Sequence, residues 1–260
     1  MRGLDGKVVV VVGGGTADSG PGNGAATAIR VADEGARVAV GDLAGDAAEE
    51  TVALIAARGG DAFAMEADVS SAASMDGFVA AAVERYGGVD GLHVNAADMS
   101  PAALGADGEH DLLTLPLDVW QRTIDVNLTG FVLAARAVIP RLLDRGGGAI
   151  VNTVSDAVYE GEPVRVAYAT TKTALTAVTR HIASRWGPEG IRCNSISPGI
   201  IVRNEELAEL MRSKHGGERR SNRTGHPDDI AAAAAFLLSD DGAFVNGQVW
   251  SVNGGRTLRA

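Results

Sequence analysis

The sequence is poor in sulfur, aromatic rings and positive charge. Cys193 is its single cysteine, so no internal disulfide can form and zinc sites built from several cysteines are excluded. The five histidines are scattered, with no HExxH and no close pair, and no metal site is expected. Aromatic residues make up 4% of the chain, and Trp120, Trp186 and Trp250 read as packing or interface groups. Lys and Arg number 23 against 33 Asp and Glu, for a net charge of −10. Binding to nucleic acid or to an anionic membrane needs a basic footprint, which this balance does not provide. No run approaches the roughly 18 consecutive strongly apolar residues of a membrane span. Met1–Lys7 lacks the charge, apolar stretch and small cleavage residues of a signal peptide. A cytoplasmic protein is expected. The 34 glycines show no three-residue period, which excludes a collagen-like chain.

What is present is a regular alternation of two patterns. Short β-branched runs suggest strands at Val8–Val12, Arg37–Asp42, Ala62–Glu66, Val89–Val94, Gly148–Val154, Ile191–Ser197 and Gln248–Val252. Between them lie helical patterns at Ala25–Glu34, Asp46–Arg58, Ala72–Tyr86, Asp118–Leu143, Val166–Trp186 and Pro227–Leu238. This order predicts an α/β fold: a doubly wound parallel sheet with right-handed crossovers and helices on both faces. No composition shift divides residues 1–260, so a single domain is expected. Asp98–Leu117 and Arg203–His226 are the less regular stretches.

Gly13-Gly14-Gly15-Thr16 follows the first predicted strand, and Gly20-Pro21-Gly22-Asn23-Gly24 precedes the first helix. Glycines here let the backbone approach a pyrophosphate, and the helix supplies N–H groups and a positive end. The strict G-x-G-x-x-G spacing fails, since Asp18 falls where the third glycine belongs; a ligand-free glycine turn is the alternative. Asp42 ends the second predicted strand about 20 residues past that turn, where an acid can accept hydrogen bonds from a ribose diol. It would repel a 2′-phosphate, and no arginine follows it directly, so NAD is favoured over NADP. A merely solvated carboxylate is the alternative. Tyr168 and Lys172 stand i, i+4 on one predicted helix and share a face. A neighbouring ammonium favours the phenolate and lowers a tyrosine's pKa, which suits proton exchange with a substrate oxygen. Ser155 ends the fifth predicted strand, at the carboxyl edge where such sheets bind ligands. A lone YxxxK is common by chance.

Together these residues resemble the short-chain dehydrogenase/reductase family, in the subset with a lengthened glycine-rich loop. Gly13 and Gly22-Asn23-Gly24 match its glycine turn, Asp68-Val69 its adenine-pocket pair, and Asn95-Ala96 its motif after strand four. Asn127, Ser155, Tyr168 and Lys172 match its catalytic set, with Ser155 and Tyr168 at the family's usual separation. Pro198-Gly199 matches the turn beside the nicotinamide, and Gly247-Gln248 with Val252–Gly255 the final strand. The resemblance implies a Rossmann sheet of about seven strands in the order 3-2-1-4-5-6-7 and a homotetramer. It implies a cofactor held by Gly13, Thr16, Ser19, Gly22, Asn23, Gly24, Asp42, Leu43, Asp68, Val69, Asn95, Ala96, Tyr168, Lys172, Pro198, Gly199 and Ile201. Tyr168 is then the general acid/base and Lys172 its tuner and a ribose contact. Ser155 polarises the carbonyl, and Asn127 holds a water that links Lys172 to solvent. The sequence departs from the family at several points. Val12 replaces an opening threonine, the glycine loop is longer, Val94 and Ala97 replace an asparagine and a glycine, and Arg203 stands where a threonine often contacts the carboxamide.

The expected activity is NAD-dependent interconversion of a secondary alcohol and a ketone, with a small-molecule substrate and a lid at about 203–226. Arg203, Arg212, Lys214, Arg219, Arg220 and Arg223 outnumber Glu205, Glu206, Glu209 and Glu218 in that lid. The excess is compatible with attraction of an anionic substrate or with a merely solvated face. An NADPH-dependent 3-oxoacyl-(carrier protein or CoA) reductase is a second reading. A non-catalytic dinucleotide sensor is a third, against which the full catalytic set argues.

Overall fold

The computed structural model describes residues 1–17, 19–104, 111–161, 163–204, 208–209 and 220–258. The expectations placed on Asp18, Arg212, Lys214, Arg219, Glu205, Glu206 and Glu218 lie outside the described residues.

The strands are β1 (Val8–Val12), β2 (Arg37–Asp42), β3 (Asp61–Glu66), β4 (Gly91–Val94), β5 (Gly148–Thr153), β6 (Ile191–Pro198) and β7 (Val249–Val252). They form one seven-stranded sheet in the order β3-β2-β1-β4-β5-β6-β7, and every pairing in it is parallel. The expected strand order is therefore the observed one. β1 is buried along its whole length. A central parallel strand is covered on both faces and needs an unbroken apolar run.

The helices are α1 (Asn23–Asp33), α2 (Gly45–Ala56), α3 (Ala72–Tyr86), α4 (Pro101–Leu104), α5 (Leu117–Ile124), α6 (Gly130–Asp144), α7 (Val166–Trp186) and α8 (Pro227–Leu238). One layer of core gathers Val10, Phe78, Phe131, Leu142, Ile150 and Leu175 between the sheet and α3, α6 and α7. The opposite layer gathers Val9, Val11, Ile29, Val31, Ile230 and Leu237 against α1 and α8. Alternate residues of β1 enter opposite layers, as the period of a strand requires.

The helical run predicted over Asp118–Leu143 has a π-helical break at Asp125–Thr129. The span Leu117–Asp144 is long enough, and an 18-residue stretch within it apolar enough (mean hydropathy 1.4), to cross a membrane by length and composition alone, which the sequence reading did not anticipate. Its apolar side, Phe131, Ala135, Val138 and Leu142, is instead buried in the core. Its outer side carries Arg136, Arg141 and Asp144.

Candidate active site

In a parallel sheet every strand ends at the same edge, and ligands bind where the strand order reverses. Here that point lies between β1 and β4. A cleft of about 480 Å³ opens there, lined by residues from the carboxyl ends of six strands.

Its floor at the β1 end is glycine by necessity. A Cβ on Gly13 (φ +74) would stand 2.4 Å from the Ala96 nitrogen, and one on Gly24 would stand 2.0 Å from the Gly13 carbonyl oxygen. α1 starts immediately after, capped by Gly22, which offers no side-chain cap, and its first turn holds no acid. The first-turn N–H groups thus lack intrahelical partners, and the helix presents its positive end to the cleft. This cradle fits a phosphate-bearing cofactor.

The lengthened loop folds back on itself, with Thr16–Ala17 pairing antiparallel to Gly20–Pro21. Thr16 is buried and does not line the cleft. Its Oγ1 lies 2.8 Å from Thr51 Oγ1, and Thr51 donates to the Gly14 carbonyl at 2.8 Å. Thr16 therefore anchors the loop to α2, in place of the cofactor contact expected of it. Ser19 also lies off the cleft, where its Oγ accepts from Arg203 at 2.9 Å.

Asp42 and Leu43 line the next part of the cleft. The Asp42 carboxylate accepts from Gly15 N–H at 2.8 Å and from Ala44 N–H at 3.1 Å. Asp68 and Val69 follow β3, and Asn95 and Ala96 follow β4. The Asn95 and Ala96 N–H groups both donate to the Val12 carbonyl, which seats that turn against β1.

At the far end, Thr153, Val154 and Ser155 meet Tyr168 and Lys172. Ser155 caps a short 3₁₀ turn, and its Oγ accepts from Ala157 N–H at 3.2 Å. Lys172 is 2% exposed and donates from Nζ to the Thr153 carbonyl at 2.8 Å. Burial lowers its pKa to about 8, so it remains an ammonium at neutral pH. That ammonium lies 5.6 Å from the centre of the Tyr168 ring, and the Arg165 guanidinium lies 5.7 Å from it. Arg165 is the one non-glycine residue with positive φ among the described residues. Pro198, Gly199 and Ile201 close this end below β6.

Asn127 is buried and does not line the cleft. Its Oδ1 accepts from Asp98 N–H at 2.7 Å, and its Nδ2 donates to Thr171 Oγ1 at 3.2 Å. It ties the loop after β4 to α7 from within the π-helical break, where it is buried. Asp156 and Met99 escaped the sequence reading, and Arg203 was read as a departure at the carboxamide turn and a lid cation, without its place over the glycine loop. Asp156 is buried and accepts from Ser197 Oγ and Asn253 Nδ2, both at 2.8 Å, which fixes the turn that carries Ser155. Arg203 lines the cleft above Gly22. Met99 also lines it. For Asp156 the available signal was its adjacency to Ser155, and for Met99 there was none.

A family model described as enoyl-(acyl carrier protein) reductase matches residues 17–257. A probable short-chain type dehydrogenase/reductase of Bradyrhizobium diazoefficiens is 40% identical over 98% of this chain and 89% of its own. The chain belongs to the short-chain dehydrogenase/reductase family. Like other members, it is an NAD(P)-dependent oxidoreductase. A D-threitol dehydrogenase of Mycolicibacterium smegmatis is 37% identical over 98% of this chain and 95% of its own. A solved 7α-hydroxysteroid dehydrogenase, in complex with NADH and 7-oxo glycochenodeoxycholic acid, superposes with a TM-score of 0.87. It is 31% identical and covers 99% of this chain and 97% of its own.

Proposed function

We propose that this short-chain dehydrogenase/reductase uses NAD to interconvert a secondary alcohol and a ketone. The observation that carries the reading is one continuous cleft with Asp42 at one end and Ser155, Tyr168 and Lys172 at the other. Gly13, Gly22, Asn23 and Gly24 would hold the diphosphate, and Asp42 the adenosine ribose, with Leu43, Asp68, Val69, Asn95 and Ala96 around the adenine half. Pro198, Gly199 and Ile201 would flank the nicotinamide. An anionic Asp42 accepts from a ribose diol and repels a 2′-phosphate, which favours NAD. The NADH named with the 7α-hydroxysteroid dehydrogenase supports the same choice.

The bound nicotinamide supplies or accepts hydride. Tyr168 donates its phenolic proton to the carbonyl oxygen during reduction and takes it back during oxidation. Lys172 stabilises the phenolate by its charge. Ser155 Oγ already accepts from Ala157 N–H, so its own O–H is free to be donated to the substrate oxygen. Asn127 holds the loop after β4 against α7, and the water relay to Lys172 remains part of the proposal.

The segment at about 203–226 is read as the substrate lid. Its base is tied beside the cleft, with Val202 N–H donating to Gly225 O at 3.0 Å and Gly225 N–H to Ile200 O at 3.1 Å. A cytoplasmic homotetramer belongs to the same reading. Fully exposed Phe244 and the stacked pair Phe236–Trp250 offer it apolar surface.

The substitution Tyr168→Phe tests the chemistry. Turnover of alcohols with NAD is expected to fall roughly 10²–10⁴-fold while NADH affinity is unchanged. Turnover near that of the unmodified enzyme would remove Tyr168 from the acid/base role.

A further inference from the structure

We propose that Arg203 is a cofactor-positioning residue that clamps the diphosphate of the dinucleotide against the start of α1. The inference rests on the cleft's binding a dinucleotide, and it adds a residue that the family pattern does not supply at this position.

Arg203 leaves β6 five residues after Pro198 and reaches back across the cleft to the glycine loop. Its NH2 group lies 2.8 Å from the point where a Cβ on Gly22 would stand. Its NH1 group donates to Ser19 Oγ at 2.9 Å. One arm of the fork is thereby fixed to the hairpin, and the other lies directly over the residue that caps α1. A guanidinium carries five N–H donors in a rigid plane, so the bond to Ser19 leaves donors for an oxyanion.

Beside this fork, after Gly22, stand the free N–H groups of the α1 first turn, without a capping side chain or an acid among them. Two sets of donors thus adjoin the same end of the cleft, one from backbone and one from a cation. A group with several oxygens and more than one negative charge fits between them, and a dinucleotide carries its diphosphate there. Planar guanidinium matches phosphate oxygens in a bidentate manner.

The surrounding charges favour the same assignment. Behind the hairpin lies a second cavity, where Arg30 pairs with Glu34 and Arg58 with Asp33. His226 there contacts Asp228. Arg203 borders both spaces, but its bond to the hairpin goes to a neutral hydroxyl, whereas the carboxylates Asp33 and Asp228 are paired with Arg58 and His226. Asp42, the cleft's carboxylate on this side, is bonded to Gly15 and Ala44 N–H groups.

The test is a fluorescence titration of the full chain with NADH, followed by displacement with ADP and with adenosine. Unmodified protein, Arg203→Ala and Arg203→Lys are compared. Arg203→Ala is expected to weaken NADH and ADP about tenfold, the scale of a charge-assisted hydrogen bond. Adenosine, which has no phosphate, should bind all three proteins alike, and its binding shows that the pocket is folded. Arg203→Lys should recover part of the ADP affinity and none of the bidentate geometry. The proposal is overturned if Arg203→Ala leaves NADH and ADP unchanged, or if ADP and adenosine weaken together. Failure of the unmodified protein to bind NADH or ADP would overturn the dinucleotide reading, and this inference with it.

Discussion

Two buried ionisable side chains show how far a residue's neighbours determine its chemistry. Lys172 and His93 are both enclosed, yet they serve different ends. Lys172 keeps a carbonyl partner and stays charged at neutral pH because its lowered pKa, about 8, still lies above 7. His93 sits on β4 between Val11 and Val151, and burial lowers its pKa to about 4. The Val151 backbone opposes that only weakly, since neither ring nitrogen makes a well-formed hydrogen bond among the described residues. His93 is therefore neutral in the folded chain but titrates near its ordinary 6.5 when unfolded. Between those values the unfolded chain binds the extra proton, so stability falls as pH drops from about 6.5 through about 4. The full loss from this residue is about 3 kcal/mol. Denaturant titrations from pH 7 to pH 4 should show it, and His93→Leu should flatten that part of the profile. An unchanged slope in the variant would show that His93 does not carry the effect. The sequence placed His93 in a strand, but not its isolation, which depends on the strands to either side.

At the scale of elements, the regular parts were readable and the irregular parts were not. The bounds of β1, α3, α7 and α8 match the sequence reading, because unbroken β-branched runs and capped helical patterns are local signals. The hairpin of the glycine loop was not legible. Each arm is two residues long, and what holds it is a contact between Thr16 and Thr51, far apart in the chain. The π-helical break around Asn127 was hidden because its flanks keep one helical periodicity. Arg203's place over Gly22 depends on the tie between Val202 and Gly225, again a distant pairing. Thr51→Val tests the hairpin's anchor. It leaves the Gly14 carbonyl and the Thr16 hydroxyl unsatisfied, at a cost of about 1–3 kcal/mol. Lower stability together with weaker NADH binding is expected. Stability and affinity both unchanged would mean that the hairpin holds its shape without α2.

The whole molecule brings its chemistry to one edge. Six strand ends deliver short, ordinary side chains to a single cleft, and the parallel order of the sheet makes that convergence unavoidable. The meeting of the proposed catalytic residues in one cleft was legible because they lie on regular elements, Ser155 after β5 and Tyr168 with Lys172 on one turn of α7. The proposed substrate pocket was less so, since the segments expected to border it, after β4 and β6, carry no regular sequence pattern. Under the proposed function, a chain of net charge −10 that binds an anionic dinucleotide would concentrate its attraction locally, in the glycine cradle, the start of α1 and Arg203, with Asp42 selecting at the ribose. The most direct test is a side-by-side fluorescence titration of the unmodified protein with NADH and NADPH. Tight NADH and weak NADPH binding is the result expected of Asp42 as the ribose acceptor. NADPH binding as tight as NADH or tighter would contradict it, and would make this chain an NADPH-dependent reductase with a rebuilt ribose pocket.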